Sequence, residues 1–258
     1  MVNYIPRAIS PYIEEAHRFF PVIVVTGPRQ SGKTCLCRHL FPDYRYVNLE
    51  DITTRVAAIA DPTAFLKGVG NKTIIDEVQN VPELLSQIQV TVDEFPECRF
   101  ILTGSSNFSL LQTVTQSLAG RAALFTLLPF SLAEVKEWAR VNSIDRIMYN
   151  GLYPGTVAKG TPTQLFYRNY YNTYVERDLR NFLKIKNLLA FDTFMRLLAS
   201  RAGSEFNASG MSREAGVSAV TINEWLSILT TSYIVFPLRP YFTNLSKQFT
   251  KMTKVYFY

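Results

Sequence analysis

The stretch Gly27-Pro28-Arg29-Gln30-Ser31-Gly32-Lys33-Thr34 constrains this chain more than any other. It has the spacing G-x-x-x-x-G-K-[ST], and it follows the apolar run Val22-Ile23-Val24-Val25-Thr26. A buried strand, a glycine-bearing turn and a helix start gather backbone N–H groups around one point, where an anion is favoured. Gly27, Pro28, Arg29, Gln30, Ser31 and Gly32 therefore read as a phosphate cradle. Lys33 would reach the β- and γ-oxygens of a nucleoside triphosphate, and the Thr34 hydroxyl would take a place on Mg²⁺.

Further strand signals follow at suitable intervals. Arg45-Tyr46-Val47-Asn48-Leu49 reads as a second strand, followed by Glu50-Asp51 and a helical stretch to about Leu66. Lys72-Thr73-Ile74-Ile75-Asp76-Glu77 reads as a short buried strand ending in two carboxylates. The first, Asp76, is assigned to the metal. The second, Glu77, is assigned to polarising an attacking water as general base. Arg99-Phe100-Ile101-Leu102-Thr103 is a fourth strand, ending in Gly104-Ser105-Ser106-Asn107. Two roles stay open for Ser105, Ser106 and Asn107: contact with the γ-phosphate or lytic water, or capping of the next helix. A fifth strand is expected from Arg121 to Leu127, and Ser131 with Glu134 forms a capping box opening a helix. Five apolar strands with helices between them predict an α/β fold with a parallel sheet covered on both faces. The acidic pair favours water activation over small-molecule phosphorylation.

Residues 1–159 carry equal numbers of basic and acidic side chains, so the whole formal charge of +6 resides in residues 160–258. That asymmetry points to a nucleic-acid or acidic protein partner for the second part, or to an ordinary solvated surface. No apolar stretch approaches the ~20 residues of a membrane span, and no secretory signal is visible. Cys35, Cys37 and Cys98 lack metal-ligand spacing and read as reduced structural thiols, which agrees with a cytoplasmic location. His17 and His39 stand alone and read as structural.

After Lys159-Gly160-Thr161-Pro162-Thr163, a helix is expected from about Gln164 to Lys184, with Tyr167, Tyr170, Tyr171 and Tyr174 as core packing. Glu176, Arg177, Asp178 and Arg180 follow as a solvated ion-pair face. Phe191–Ala202 reads as another helix. Met211 to Ser218 has a helix-turn-helix rhythm, in which Gly216 turns the chain and Ser218 caps a helix reaching Leu229. Val220, Ile222, Trp225, Leu226 and Leu229 are expected to face inward. With Ile234–Phe236 and Lys254–Tyr258 as wing strands, the segment reads as a winged helix. Its second helix has no Lys or Arg, which argues against sequence-specific base reading. The cations lie around the wing, at Arg239, Lys247, Lys251 and Lys254. They suit a nucleic-acid backbone or the surface of a further domain.

The loop resembles the GPRQxGKT loop of a large prokaryotic family of AAA-superfamily ATPases, usually built as ATPase, winged helix and C-terminal nuclease-like domain. Ile75-Asp76-Glu77-Val78-Gln79, Leu102-Thr103-Gly104-Ser105-Ser106, Leu118-Ala119-Gly120-Arg121, Gly151-Leu152-Tyr153-Pro154 and Tyr174 to Arg180 are similar to that family in the same order. The resemblance implies ATP with Mg²⁺. It also implies Arg121 as a γ-phosphate-sensing or finger arginine, acting in its own subunit or on a neighbour in a homo-oligomer; a surface cation is the alternative. Residues 1–159 are thus expected to form an AAA-like ATPase domain, and residues 160–258 a helical linker and winged helix truncated at its C-terminal end. A nucleotide-gated binding module with negligible turnover is the alternative function.

Overall fold

A computed structural model describes residues 4–104, 117–173, 187–241, 243 and 252–258. The chain divides into two compact units, Met1–Phe166 and Tyr167–Tyr258. In the first, α1 (Ser10–His17) precedes β1 (Val22–Thr26), α2 (Lys33–Leu40), β2 (Arg45–Asn48), α3 (Ile52–Ala60) and α4 (Pro62–Val69). Then come β3 (Lys72–Asp76), α5 (Glu83–Glu94), β4 (Arg99–Thr103) and β5 (Ala122–Thr126).

The five strands form one sheet in the order β2-β3-β4-β1-β5, and every neighbouring pair is parallel. Side chains alternate between its faces. Val22 and Val24 of β1, Ile75 of β3 and Phe100 and Leu102 of β4 enter a cluster with Ala58, Leu66, Leu85 and Ile88. Ile23, Val25, Ile74 and Ile101 enter the opposite cluster with Ile13 of α1 and Leu36 and Cys37 of α2. Each fully buried Val, Leu or Ile contributes roughly 1.5–3 kcal/mol, so the two layers fix the strand ends firmly.

The helical stretch expected to about Leu66 consists of two helices and reaches Val69. Asp61 accepts from Ala64 N at 2.8 Å and Pro62 occupies the first turn, so a new helix starts where proline would interrupt the old one. The Ser131–Glu134 box forms, with Ser131 N donating to Glu134 at 2.7 Å, but it closes a turn, and the helix begins only at Lys136.

In the second unit, helices Leu188–Ser200, Ala208–Ala215 and Ala219–Thr231 precede the antiparallel pair β6 (Val235–Leu238) and β7 (Lys254–Phe257). The first helix starts at Leu188, three residues ahead of the expected start, and Asn187 caps it by accepting from Ala190 N. Gly216, at φ 68°, ends the second helix, and Ser218 caps the third by accepting from Thr221 N at 3.1 Å. Ile222, Trp225 and Leu229 are buried, with Trp225 edge-on to Phe191 at 5.2 Å. Val220 is 67% exposed, contrary to expectation. It lies two residues, about 200° of helix turn, from Ile222 and so faces outward. The tyrosine-bearing helix is described over Thr163–Tyr170, where Tyr170 is buried. The rest of the expected helix, with Tyr174, Glu176, Arg177, Asp178 and Arg180, falls outside the described residues, as do Lys247 and Lys251. Among the described residues, no helix is long and apolar enough to cross a membrane.

Candidate phosphate-binding site

The loop after β1 is shaped by its glycines. Gly27 has φ 142°, and a Cβ built there would lie 2.2 Å from the Leu127 carbonyl oxygen. The loop can therefore lie against the turn after β5 only because residue 27 has no side chain. Gln30 and Gly32 also take positive φ, at 63° and 96°, and α2 starts at Lys33.

Lys33 is buried, and its ammonium donates to the Gly27 carbonyl at 3.1 Å and the Pro28 carbonyl at 2.9 Å. Burial lowers its pKa from the usual lysine value, opposed by the nearby Glu77 and Asp76 carboxylates. At the next residue, the Thr34 hydroxyl donates to Asp76 Oδ2 at 2.7 Å.

Asp76, at the end of β3, is the hub of the site. Besides Thr34, its Oδ2 receives the Tyr46 hydroxyl from β2 at 2.7 Å. Its Oδ1 receives the Thr103 hydroxyl from the end of β4 and Glu77 N at 3.2 Å. Burial, then the hydrogen bond and negative charge of Asp76, push the Tyr46 hydroxyl's pKa up, so it remains a donor at neutral pH. Arg38 of α2 stacks over the Tyr46 ring at 5.0 Å. Glu77 follows in a left-handed conformation, φ 56°, and its carboxylate receives the Gln79 side-chain amide.

A cavity of about 690 Å³ opens over this constellation. Arg29, Gln30, Ser31, Gly32, Lys33, Thr34 and Glu77 line it, together with Tyr4, Arg7, Pro154 and Lys159 from flanking segments. Ser31 Oγ is buried without a hydrogen-bond partner among the described residues. Arg29 pairs with Glu50 at 3.7 Å, both partly exposed.

The structure thus brings together Lys33, Thr34, Asp76 and Glu77. It places Arg121 elsewhere. Arg121 precedes β5, and its carbonyl accepts from Val22 N at the start of β1, whereas the loop leaves the other end of β1. Five strand residues separate those ends, roughly 16 Å. Its guanidinium is held bidentately by Asp93, at 2.6 and 2.7 Å. Contact with the γ-phosphate of its own subunit's loop is incompatible with that placement. Ser105, Ser106 and Asn107 lie outside the described residues.

Sequence inspection missed Tyr46, Thr103, Gln79 and Arg7. Thr103 could have been flagged as a hydroxyl at the end of an apolar strand run, whereas Tyr46 sits two residues before the end of β2. Arg7 carries no signal, because its partners are far along the chain.

Residues 20–136 match the family model of an AAA domain, and residues 141–258 match that of a domain of unknown function, DUF8612. The chain is 29% identical over 240 residues to uncharacterized proteins of Mycobacterium bovis and Mycobacterium tuberculosis. That alignment covers 92% of this chain and 54% of either relative, so the chain spans about half their length. Among solved structures, the Walker-type ATPase PABY2304 of Pyrococcus abyssi is similar in fold, with a TM-score of 0.59 and 14% identity. The overlap takes in 90% of this chain and 91% of that one. The AAA-domain match takes in the five-stranded sheet and the Gly27–Thr34 loop, and the solved structure is similar in fold.

Proposed function

We propose that this chain binds ATP with Mg²⁺ on the Gly27–Thr34 loop and hydrolyses it, and that the nucleotide state acts on a winged-helix module in residues 160–258. The observation that carries the reading is the 2.7 Å contact between the Thr34 hydroxyl and the buried Asp76 carboxylate, beside the buried Lys33. The residues present fit the ligand. Thr34 and Asp76 offer the hard oxygen donors that Mg²⁺ prefers, and Gly27, which leaves no room for a Cβ against Leu127, lets the loop take its shape. The buried Ser31 hydroxyl has donor capacity left for a phosphate oxygen. Thr34 and Asp76 would hold the metal, with Lys33 and the loop amides on the phosphates. Bound there, Mg²⁺ would neutralise charge on the phosphate oxygens.

Glu77 is the proposed general base: its carboxylate takes the proton of a water as that water's oxygen bonds to the terminal phosphorus, while the bond from that phosphorus to the β,γ-bridging oxygen breaks and ADP leaves with phosphate as the other product. Lys33 stabilises negative charge on the oxygens it touches. Arg121 enters only as a residue offered to a neighbouring copy, as in a homo-oligomer. The three helices and the antiparallel strand pair among the described residues of 187–258 support the winged-helix reading. The module's nucleic-acid contacts would be weak and steeply salt-dependent, because they would rest on the few cations around the wing, and indifferent to sequence, because Ala219–Thr231 lacks Lys and Arg. A fluorescence titration revealing a preferred DNA site would contradict this.

A second reading, a nucleotide-gated switch with negligible turnover, is favoured by the Gln79 amide seated on Glu77, where it competes with water. Phosphate release by the unaltered protein, Lys33→Ala and Glu77→Gln separates the two. Hydrolysis requires that Glu77→Gln retain ATP affinity and lose turnover, while Lys33→Ala loses both. Equal rates in all three reject it. Tight binding with turnover far below about one per minute supports the switch.

A further inference from the structure

Arg7 lies near the start of the chain, yet its side chain is only 5% exposed. Every polar contact it makes is to an acceptor on a distant segment. Nη1 donates to the Ser31 carbonyl at 2.9 Å. Nη2 donates to the Leu128 carbonyl at 2.6 Å and the Pro129 carbonyl at 3.2 Å. Nε donates to Glu134 Oε1 at 3.1 Å, and the guanidinium stands 4.6 Å from the Phe130 ring centroid. Glu134 is itself fixed by Ala8 N at 2.7 Å and Ser131 N at 2.7 Å. One planar cation therefore ties the phosphate loop to the turn that backs it.

We propose that Arg7 is a positioning residue for phosphate binding: by holding the Ser31 carbonyl, it aims the Gly32 N–H into the cradle. The geometry is that of the peptide plane. In a trans peptide, C=O and the following N–H point in opposite directions, so fixing the Ser31 carbonyl on one side directs the Gly32 amide to the other. Nothing local fixes that plane, because Gly32, at φ 96°, is a residue that populates both hands of backbone space. An unheld Ser31–Gly32 peptide can rotate and present its carbonyl, a repulsive group, to a phosphate. Arg7 lies close against this peptide, its Nη1 3.8 Å from where a Cβ on Gly32 would stand. A lysine could not replace it, since a single ammonium does not span the acceptors on residues 31, 128, 129 and 134 in a fixed plane.

The inference rests on the reading that the loop binds a triphosphate, and the test keeps the two apart. Calorimetric titration of the full chain with MgATP is compared for the unaltered protein, Arg7→Lys, Arg7→Ala and Ile88→Val, each below its own melting temperature. Ile88 is a core residue of α5, and its truncation lowers stability without touching the loop. Both Arg7 variants are expected to bind MgATP roughly ten- to a hundredfold more weakly, the effect of misaligning one hydrogen bond to a charged ligand. Ile88→Val is expected to bind as the unaltered protein does. If Arg7→Ala does not fold, Arg7→Lys, which retains a cation for Glu134, carries the comparison. Unchanged affinity in Arg7→Lys overturns the proposal, as does an equal loss in Ile88→Val, which would trace the effect to stability. No binding by the unaltered protein overturns the nucleotide reading itself.

Discussion

Gly27→Ala tests whether the loop's shape depends on the close approach of strand exit and strand turn. The new Cβ would stand 2.2 Å from the Leu127 oxygen and 3.0 Å from its carbonyl carbon. Ordinary carbon–oxygen contact requires the two segments to separate by roughly 1 Å. That retreat is resisted, because Leu127 N is bonded to Thr26 at 2.8 Å and Arg7 holds the next two carbonyls. Overpacking costs about 1–3 kcal/mol, and an L-residue at φ 142° adds about 1–3 kcal/mol. The sum, about 2–6 kcal/mol, is a large part of the ~5–15 kcal/mol stability of a typical domain. Gly68→Ala is the matched control. Gly68 sits in α4 with nothing within 4 Å of its added Cβ, so alanine should stabilise by about 0.5–1 kcal/mol. Guanidinium denaturation of both variants, alongside MgATP titration, reads the two effects. A Gly27→Ala protein within about 0.5 kcal/mol of the unaltered one and equally able to bind nucleotide would refute the reasoning.

Three further outcomes are expected. Burial lowers the Lys33 pKa, so its charged form is penalised in the folded state and that penalty is relieved as pH rises. Lys33→Met should therefore raise the melting temperature at neutral pH while abolishing MgATP binding; a lower melting temperature contradicts this. Burial alone would raise Glu134, but the Ser131 and Ala8 amides and Arg7 hold its carboxyl below the usual value. Its stabilisation is present above the ordinary carboxylate range and lost as pH falls through the depressed value. The stability gap between the unaltered protein and Glu134→Gln should accordingly close below about pH 4, and a gap constant from pH 7 to pH 3 would be evidence against the clamp. Ser218→Ala removes the acceptor for Thr221 N and should cost about 1 kcal/mol, measured on the denaturation transition of residues 167–258.

What could be read from the sequence was what local chemistry decides. The strands ending at Thr26, Asp76 and Thr103 announce themselves by apolar runs, because a parallel sheet buried on both faces leaves no polar alternation to hide them. Gly27, Lys33, Thr34 and Asp76 lie next to such ends and were therefore legible. Tyr46 and Arg7 were not. Tyr46 matters because β2 pairs beside β3, in register Tyr46↔Ile74, a fact of topology rather than spacing. Arg7 matters through carbonyls of residues 31, 128 and 129, and a backbone acceptor has no side-chain signature. Arg121 shows the converse: the resemblance implied a phosphate contact, whereas the parallel sheet already expected puts the start of β5 at the end of the sheet opposite the loop.

The strand order explains why the metal-ligand candidates meet. β4 lies between β1 and β3, so the ends of those strands stand two spacings apart, about 10 Å. A side chain on β1 itself could not bridge that distance to Asp76. Thr34 can, because the loop carries the chain out from β1 and α2 then begins beside the end of β4, with Thr34 in its first turn. Thr103, at the end of the intervening strand, fills the gap from below and takes the other carboxylate oxygen. Asp76 is thereby oriented from both sides by hydroxyls. Thr103→Val should consequently weaken Mg²⁺-dependent ATP binding more than Mg²⁺-independent binding, since it frees the metal-side carboxylate while leaving the phosphate loop intact. Titrations with and without Mg²⁺ decide it, and equal losses in both would show that Thr103 serves the sheet rather than the carboxylate.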